Sequence, residues 1–293
     1  MHAAAAAAAA AVPAAPPPAD AAALRRFLDR HRRLFVLTGA GISTGSGIPD
    51  YRDADGAWKR PQPVSYQAFT GQAAVRRRYW ARSLAGWAPF AAARPNAAHH
   101  ALAALERQGR IGLLVTQNVD GLHQRAGSTA VVDLHGRLDR VVCLDCGART
   151  PRAVLQQRLL ALNPGWERLL ARVAPDGDAD LEADFSEFRV PDCEACGGLL
   201  KPDVVFFGEA VPRARVEGAV AGLHCCDAVL VVGSSLMVYS GYRFVRLAAE
   251  AGLPVAAVNL GRTRADPLLR LKVQADCGQV LAALAGGDPA ATQ

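Results

Sequence analysis

VLTGAGISTGSGIPDYR, residues 36–52, decides the fold. A short apolar strand, Leu34 to Leu37, runs into Gly39, Gly41, Gly45 and Gly47, as expected where a backbone must approach a pyrophosphate closely. The spacing is not G-x-G-x-x-G, and Pro49 follows within eight residues of Gly41. Proline lacks an N–H and clashes with the preceding turn, so no long helix runs uninterrupted from the glycines. The turn leads instead into a loop carrying Asp50, Tyr51 and Arg52.

Outward from this turn, strands and helices alternate. A helical pattern over Ala21–Arg33 leads into the strand, and residues 53–89 show no clear strand but a helical stretch over Gly71–Gly86. A helix over 96–109 precedes the strand Ile111–Thr116, and a further strand, Ala130–Leu134, leads to His135. Later come a strand at Val204–Phe207, a helix at Arg213–Leu223, a strand at Ala228–Val232, a helix at Gly241–Ala251 and a strand at Val255–Asn259. This alternation predicts an α/β fold, a Rossmann-like doubly wound parallel sheet with its ligand at the carboxyl ends of the strands. No internal repeat is present.

The composition changes between Cys143 and Cys196, where two C-x-x-C pairs flank a helical stretch near Arg152–Leu162 and the acidic run DGDADLEADFSEF, residues 176–188. Residues 141–198 are therefore expected to be an inserted small zinc-binding module, residues 21–140 and 199–286 the nucleotide-binding domain, and 53–89 a helical segment beside the cofactor. Residues 1–20 read as a disordered low-complexity tail and 287–293 as a flexible C-terminus. Cys143, Cys146, Cys193 and Cys196 supply four thiolates on two tight turns, as tetrahedral zinc requires, and leave no open position for catalysis. Redox dithiols and an iron–sulfur site are the alternatives, and the 46-residue gap between the pairs is long for a zinc ribbon.

In a chain of 293 residues, 51% apolar content suffices for a sizeable core. The formal charge of +6 comes from basic residues scattered among acidic ones, apart from clusters such as Arg25–Arg33 and Arg76–Arg78, so a specific nucleic-acid partner is not expected. MHAAAAAAAAAVPAAPPPAD has no basic n-region and no Leu/Val/Ile core, and it lacks the Arg and Ser of a mitochondrial presequence. No other stretch is apolar for the roughly 20 residues a span needs. Seven cysteines, four of them in the C-x-x-C pairs, are too few for a disulfide scaffold. A cytoplasmic protein without a membrane partner is the expectation.

Thr116-Gln117-Asn118-Val119-Asp120 continues directly from a strand, placing polar side chains where α/β sheets bind ligands; a helix cap by Asn118 or Asp120 is the alternative. His135-Gly136 closes another strand on the same edge. An imidazole there suits a general base near neutral pH, although a lone histidine after a strand is more often structural. Gly233-Ser234-Ser235 follows AVLVV and Asn259-Leu260-Gly261 follows PVAAV, groups suited to phosphates and ribose hydroxyls. Together with the first loop they outline a dinucleotide crevice.

In this order, GAGIS (39–43), PDYR (49–52), TQNVD (116–120), HG (135–136), the two C-x-x-C pairs, KPDVVFFGE (201–209), GSS (233–235) and NLG (259–261) resemble the sirtuins over roughly residues 24–286. KPDVVFFGE with GSSLMVYSGYRF is similar to the class II branch, which includes the mitochondrial lipoamidase-type sirtuin. The resemblance implies an NAD-dependent protein lysine deacylase, with NAD consumed as co-substrate, nicotinamide and an O-acyl-ADP-ribose as products, and one structural zinc ion. It places Gly39, Ala40, Gly41, Ser43, Asp50, Tyr51 and Arg52 in the cofactor loop, and Gln117, Asn118, Val119 and Asp120 at the nicotinamide and its ribose. Gly233, Ser234, Ser235, Asn259, Leu260, Gly261 and Cys277 would hold the adenosine half. His135 would act as general base on a ribose hydroxyl, with Asn118 beside it as the second catalytic residue.

The partner implied is an acyl-lysine protein or peptide. It would pair as an added strand between Val205, Phe206, Phe207, Gly208 and Glu209 on one side and Leu236–Ser240, including Val238, on the other. Tyr79 and Arg82, three apart on one helix face, resemble the pair with which the class III desuccinylases hold an acyl carboxylate, which implies acidic acyl groups; a solvated Arg beside a core Tyr is the alternative. Protein mono-ADP-ribosylation shares the first chemical step. An NAD-dependent oxidoreductase would need an acidic residue at the end of a second strand about 20 residues after the glycine turn, and none stands there. A non-catalytic NAD- and zinc-binding module would need no base at the ribose. The sequence leaves the oligomeric state open, with a monomer expected.

Overall fold

Apolar runs such as LFVLT (34–38) and AVLVV (228–232) are buried along their whole length, the pattern of strands covered on both faces. In the computed structural model, which describes residues 16, 18–59, 62–166, 172–173, 179–180 and 183–285, they lie at the centre of a seven-stranded sheet. Its spatial order is Pro18–Ala19, Leu271–Val273, Val255–Val258, Ala228–Val232, Leu34–Thr38, Ile111–Thr116 and Val131–Asp133, and every neighbouring pair is parallel. The C-terminal segment expected to be flexible, most of the expected tail and part of the acidic run lie outside the described residues. Pro18–Ala19, at the end of that tail, pair with Lys272–Val273, and Asp20 caps the first helix by accepting from Ala23 N at 2.8 Å.

Side-chain alternation divides the core between the two faces of the sheet. Leu34, Val36, Leu230 and Val232 pack with the helices Ala21–Arg30, Ala97–Arg107 and Cys277–Ala285, whereas Phe35, Leu37, Val229 and Val231 pack with Arg213–His224 and Tyr239–Glu250. The chain turns from one half of the sheet to the other between Leu34–Thr38 and Ala228–Val232. A crevice opens at the carboxyl ends of strands at such a switch point.

One strand departs from expectation. Val204–Phe207 does not join the parallel sheet; the strand is Leu200–Val204, antiparallel to Gly136–Cys143, which also pairs with Arg149–Pro151. The apolar run VVFF reads as a buried strand, but its last three residues turn away to line a cavity. The sequence reading also passed over Gly136–Cys143, Leu271–Val273 and the helix Cys277–Ala285.

The small sheet, the helix Arg152–Leu162 and the helix Ala73–Ala92 share one apolar cluster that includes Phe69, Tyr79, Trp80, Cys143, Leu155, Cys193 and Leu200. Arg152 is buried between the two helices. Its guanidinium donates to Ser83 O at 3.2 Å, to Ser83 Oγ at 3.1 Å and to Gln156 Oε1 at 2.7 Å, and it lies over the Trp87 ring at 4.9 Å. A buried cation needs such a full set of acceptors. Among the described residues no helix is long and apolar enough to cross a membrane.

Candidate active site

The glycines of the opening stretch have a packing cause beyond ligand approach. Gly41 N donates to Gly233 O at 2.8 Å, and a Cβ on Gly41 would stand 2.9 Å from that same oxygen. Gly233 has φ +58°, and its own Cβ would meet Ile42 N at 2.3 Å. Two loops from adjacent strands therefore cross backbone on backbone. Pro49 and the glycines break the following segment into two short 3-10 turns, Ala40–Ile42 and Thr44–Ser46, in place of a long helix.

The Thr116–Asp120 segment supplies a connected set of polar groups. Asn118 Nδ2 donates to Ser43 Oγ at 3.0 Å, and Ser43 Oγ donates to Asp120 Oδ2 at 2.8 Å. Asp120 Oδ1 also accepts from Leu122 N, the first residue of the short helix Leu122–Arg125, at 2.9 Å, while Oδ2 reaches the glycine loop. Burial pushes the Asp120 carboxyl up, against the hydrogen bonds from Leu122, Ser43 and Asn118. Gln117 Nε2 donates to Ser234 Oγ at 2.8 Å, joining the strand end two places across the sheet.

His135 follows the strand Val131–Asp133 and lies half-buried on the cavity wall. Its Nδ1 lies 2.9 Å from the Gln117 carbonyl and its Nε2 2.7 Å from Ser240 Oγ. A carbonyl only accepts, so Nδ1 carries the proton and Nε2 presents its lone pair to the serine hydroxyl. Burial lowers the imidazole to about 4 against the support of the Gln117 carbonyl, and the Arg215 and Arg243 charges lower it further. At neutral pH the ring is an uncharged base.

Opposite stands the loop after Pro49. Asp50 pairs with Lys59 at 2.5 Å, Arg52 donates to Gly56 O at 2.7 Å and stacks 4.0 Å over Trp58, and Trp58 meets Phe207 edge-on. The Val205–Glu209 turn is held by a buried lysine that the motif reading did not assign: Lys201 Nζ donates to Glu209 Oε2 at 3.1 Å, and the same oxygen accepts from Phe206 N at 2.9 Å. Tyr79 packs edge-on against Phe69 and Phe206.

These groups surround one cavity of ≈ 780 Å³. Every candidate cofactor and substrate residue named from the sequence lines it, with the exception of Arg82, which lies half-buried on its helix outside the lining. The lining also includes Trp58 and Lys59, which no motif singled out, and Tyr239, Ser240 and Arg243, which lie within GSSLMVYSGYRF without an individual role read from the sequence. Cys277 contributes a thiol that donates to Gly41 O at 3.6 Å, and burial pushes it up to about 11. A glycine cradle joined to convergent hydroxyl, amide and carboxylate groups suits a dinucleotide.

Away from the cavity, Cys143, Cys146, Cys193 and Cys196 bring four sulfurs within 4.8 Å of one another. Cys143 Sγ and Cys196 Sγ are 3.5 Å apart, Cys146 Sγ and Cys193 Sγ 3.8 Å. Thiolates about 2.3 Å from a tetrahedral zinc would stand about 3.8 Å apart, so the cluster fits that ion with all positions filled.

Residues 39–240, which span the glycine loop, His135, the four cysteines and Ser240, match the Sir2 family. The protein is a member of the Sir2 family. This Sir2 protein is 66% identical over 263 residues to the NAD-dependent protein deacetylase of Xanthomonas campestris pv. campestris (strain 8004), covering 89% of this chain and 90% of that protein. It is 50% identical over 262 residues to the NAD-dependent protein lipoamidase sirtuin-4, mitochondrial, of Bos taurus, covering 88% and 83% of the two chains. Among solved structures it is similar to "Sir2-p53 peptide-NAD+", with a TM-score of 0.73, 30% identity and coverage of 89% and 95%.

Proposed function

We infer that this Sir2 protein is an NAD-dependent protein lysine deacylase. The observation that carries the reading is the half-buried imidazole of His135, oriented by the Gln117 carbonyl, on the wall of the same cavity that the glycine loop and the strand ends at Gln117, Ser234 and Asn259 also line. NAD, when bound, supplies an activated ribose carbon to which the acyl oxygen transfers. Gly39 to Ser43 and Ser234, Ser235, Asn259 and Gly261 are assigned to the nucleotide, with Cys277 against the glycine loop. Asn118 and Asp120, tied through Ser43, orient groups at the ribose. His135 Nε2 takes a proton from a hydroxyl, as an uncharged base on the wall of the cavity. Val205–Glu209 and Leu236–Ser240, facing across the cavity, are assigned to the peptide backbone, with Tyr79 and Phe206 towards the acyl chain. The four cysteines are assigned to one structural zinc.

The reading extends to a cytoplasmic monomer acting on acyl-lysine proteins; the compartment is supported by cysteines that stand as free thiols and not as disulfides. The test is product analysis with NAD and a panel of acyl-lysine peptides. Nicotinamide and free lysine should appear in equal amounts without NADH. Accumulating NADH, or a peptide heavier by ADP-ribose with its acyl group intact, overturns deacylation.

A further inference from the structure

Tyr239 lies on the cavity wall and is 45% exposed. Three guanidinium groups gather round its ring, Arg243 at 5.3 Å, Arg246 at 5.8 Å and Arg264 at 5.9 Å from the centroid, and Arg264 also stacks 4.4 Å over Tyr242. Aromatic faces attract cations, yet three cations round one ring repel one another. The acidic groups nearby do not balance them. Arg246 pairs with the exposed Glu250 at 3.5 Å; Asp266, in the hollow next to Arg264, is committed to Lys272 at 2.8 Å and to Thr263. Asp55, exposed in that hollow, is the other carboxylate there.

The hydrogen-bonding capacity is also underused. Arg243 Nε is buried without a partner among the described residues, and Arg264 makes a long 3.4 Å contact with Met237 O. A guanidinium stacked on a ring keeps its in-plane N–H fork free, and that fork matches a carboxylate. Arg246 and Arg264 are exposed, so a partner can reach them.

We propose that Tyr239 with Arg243, Arg246 and Arg264 forms a subsite for acidic residues flanking the acyl-lysine of the protein substrate. The proposal rests on the deacylase reading, which sets Leu236–Ser240 beside the peptide. The arginines then border the same strand, where a neighbouring Asp or Glu side chain exchanges cation–cation repulsion for charge-assisted hydrogen bonds. Neutral or basic flanks leave that repulsion in place.

The experiment uses the full chain, saturating NAD and matched acyl-lysine peptides whose flanking residues are Glu, Gln or Lys. Glu flanks should raise kcat/KM roughly tenfold over Gln flanks at low salt, with the advantage shrinking as salt rises. The double variant Arg246→Gln, Arg264→Gln should lose most of this advantage while keeping its rate on Gln-flanked peptide. Equal rates for Glu and Gln flanks in the unmodified enzyme overturn the proposal, as does a preference that survives the double variant. A matching loss of NAD affinity in that variant also overturns it, because the arginines would then serve the cofactor. Fluorescence anisotropy of the labelled peptides reads the same preference without turnover, so failure of deacylation on every peptide sinks only the deacylase reading.

Discussion

The Ser240 hydroxyl and His135 Nε2 stand 2.7 Å apart, so the serine engages the one lone pair that a histidine base needs. Nδ1 is committed to the Gln117 carbonyl at 2.9 Å, so the ring cannot offer its other nitrogen instead. Any substrate hydroxyl delivered to Nε2 must displace Ser240. Ser240→Ala is therefore expected to lower KM for NAD roughly fivefold, the equivalent of one neutral hydrogen bond of about 1 kcal/mol, with kcat little changed. Steady-state kinetics and calorimetric NAD binding check this; an unchanged or raised KM assigns the serine to packing alone.

His135 is lowered to about 4 by burial, with Arg215 and Arg243 adding to the shift against the Gln117 carbonyl. Its base form is thus fully populated at neutral pH. The kcat/KM profile should show no His135 ionisation between roughly pH 5 and 8 and should fall only as pH approaches 4. His135→Ala should reduce kcat by about 10² or more with its circular dichroism unchanged. An acid limb near 6.5 in enzyme that remains folded would contradict the lowered imidazole.

Metal analysis should find one zinc per chain. Cys143→Ser or Cys196→Ser opens the four-sulfur cluster, releases the metal and lowers Tm. Since Cys143 and Cys193 share their apolar cluster with Tyr79, and Phe206 packs against it, KM for acyl peptide should rise more than KM for NAD. A variant that keeps its zinc and melts unchanged refutes the structural role.

Acid should destabilise the fold before it touches most carboxylates. His99 and His123 are buried with ring centroids 4.8 Å apart, and burial lowers His99 to about 4 and His123 well below its ordinary value. Unfolded imidazoles titrate near 6.5, so between those values the unfolded chain binds protons that the folded chain refuses. Stability is then complete above about 6.5 and falls as pH drops towards 4, by on the order of 3 kcal/mol for His99 alone. Asp120 and Asp133, whose carboxyls burial pushes up, oppose this at the acid end. A Tm constant from pH 7 to 4.5 would show that the pair does not control acid stability.

Arg82 gives a simpler test. It lies outside the cavity lining, one helical turn from Tyr79, which lines it. Arg82→Met should change kcat/KM for glutaryl-lysine and acetyl-lysine by the same factor; a selective loss on the acidic substrate would bring Arg82 into the acyl pocket.

Motifs at strand ends were legible because their chemistry is local. Gly39, Gln117, Ser234 and Asn259 each follow an apolar run, and a parallel sheet gathers such ends at one edge. The C-x-x-C pairs were legible because their spacing reports directly on a shared four-sulfur cluster that suits a metal. Ser240 and Arg243 were not, since their relation to His135 arises from a helix packing across the sheet and leaves no periodic trace in the chain. Val205–Phe207 misled because an apolar run carries no sign of whether it pairs with a strand or faces a cavity.

Tyr79 and Phe206 lean on the cysteine-bound module, whereas the opposite wall grows from a sheet covered on both faces. The two halves of the active site therefore have different vulnerabilities. Loss of the four-sulfur cluster would loosen the wall assigned to acyl-lysine before the wall assigned to the dinucleotide.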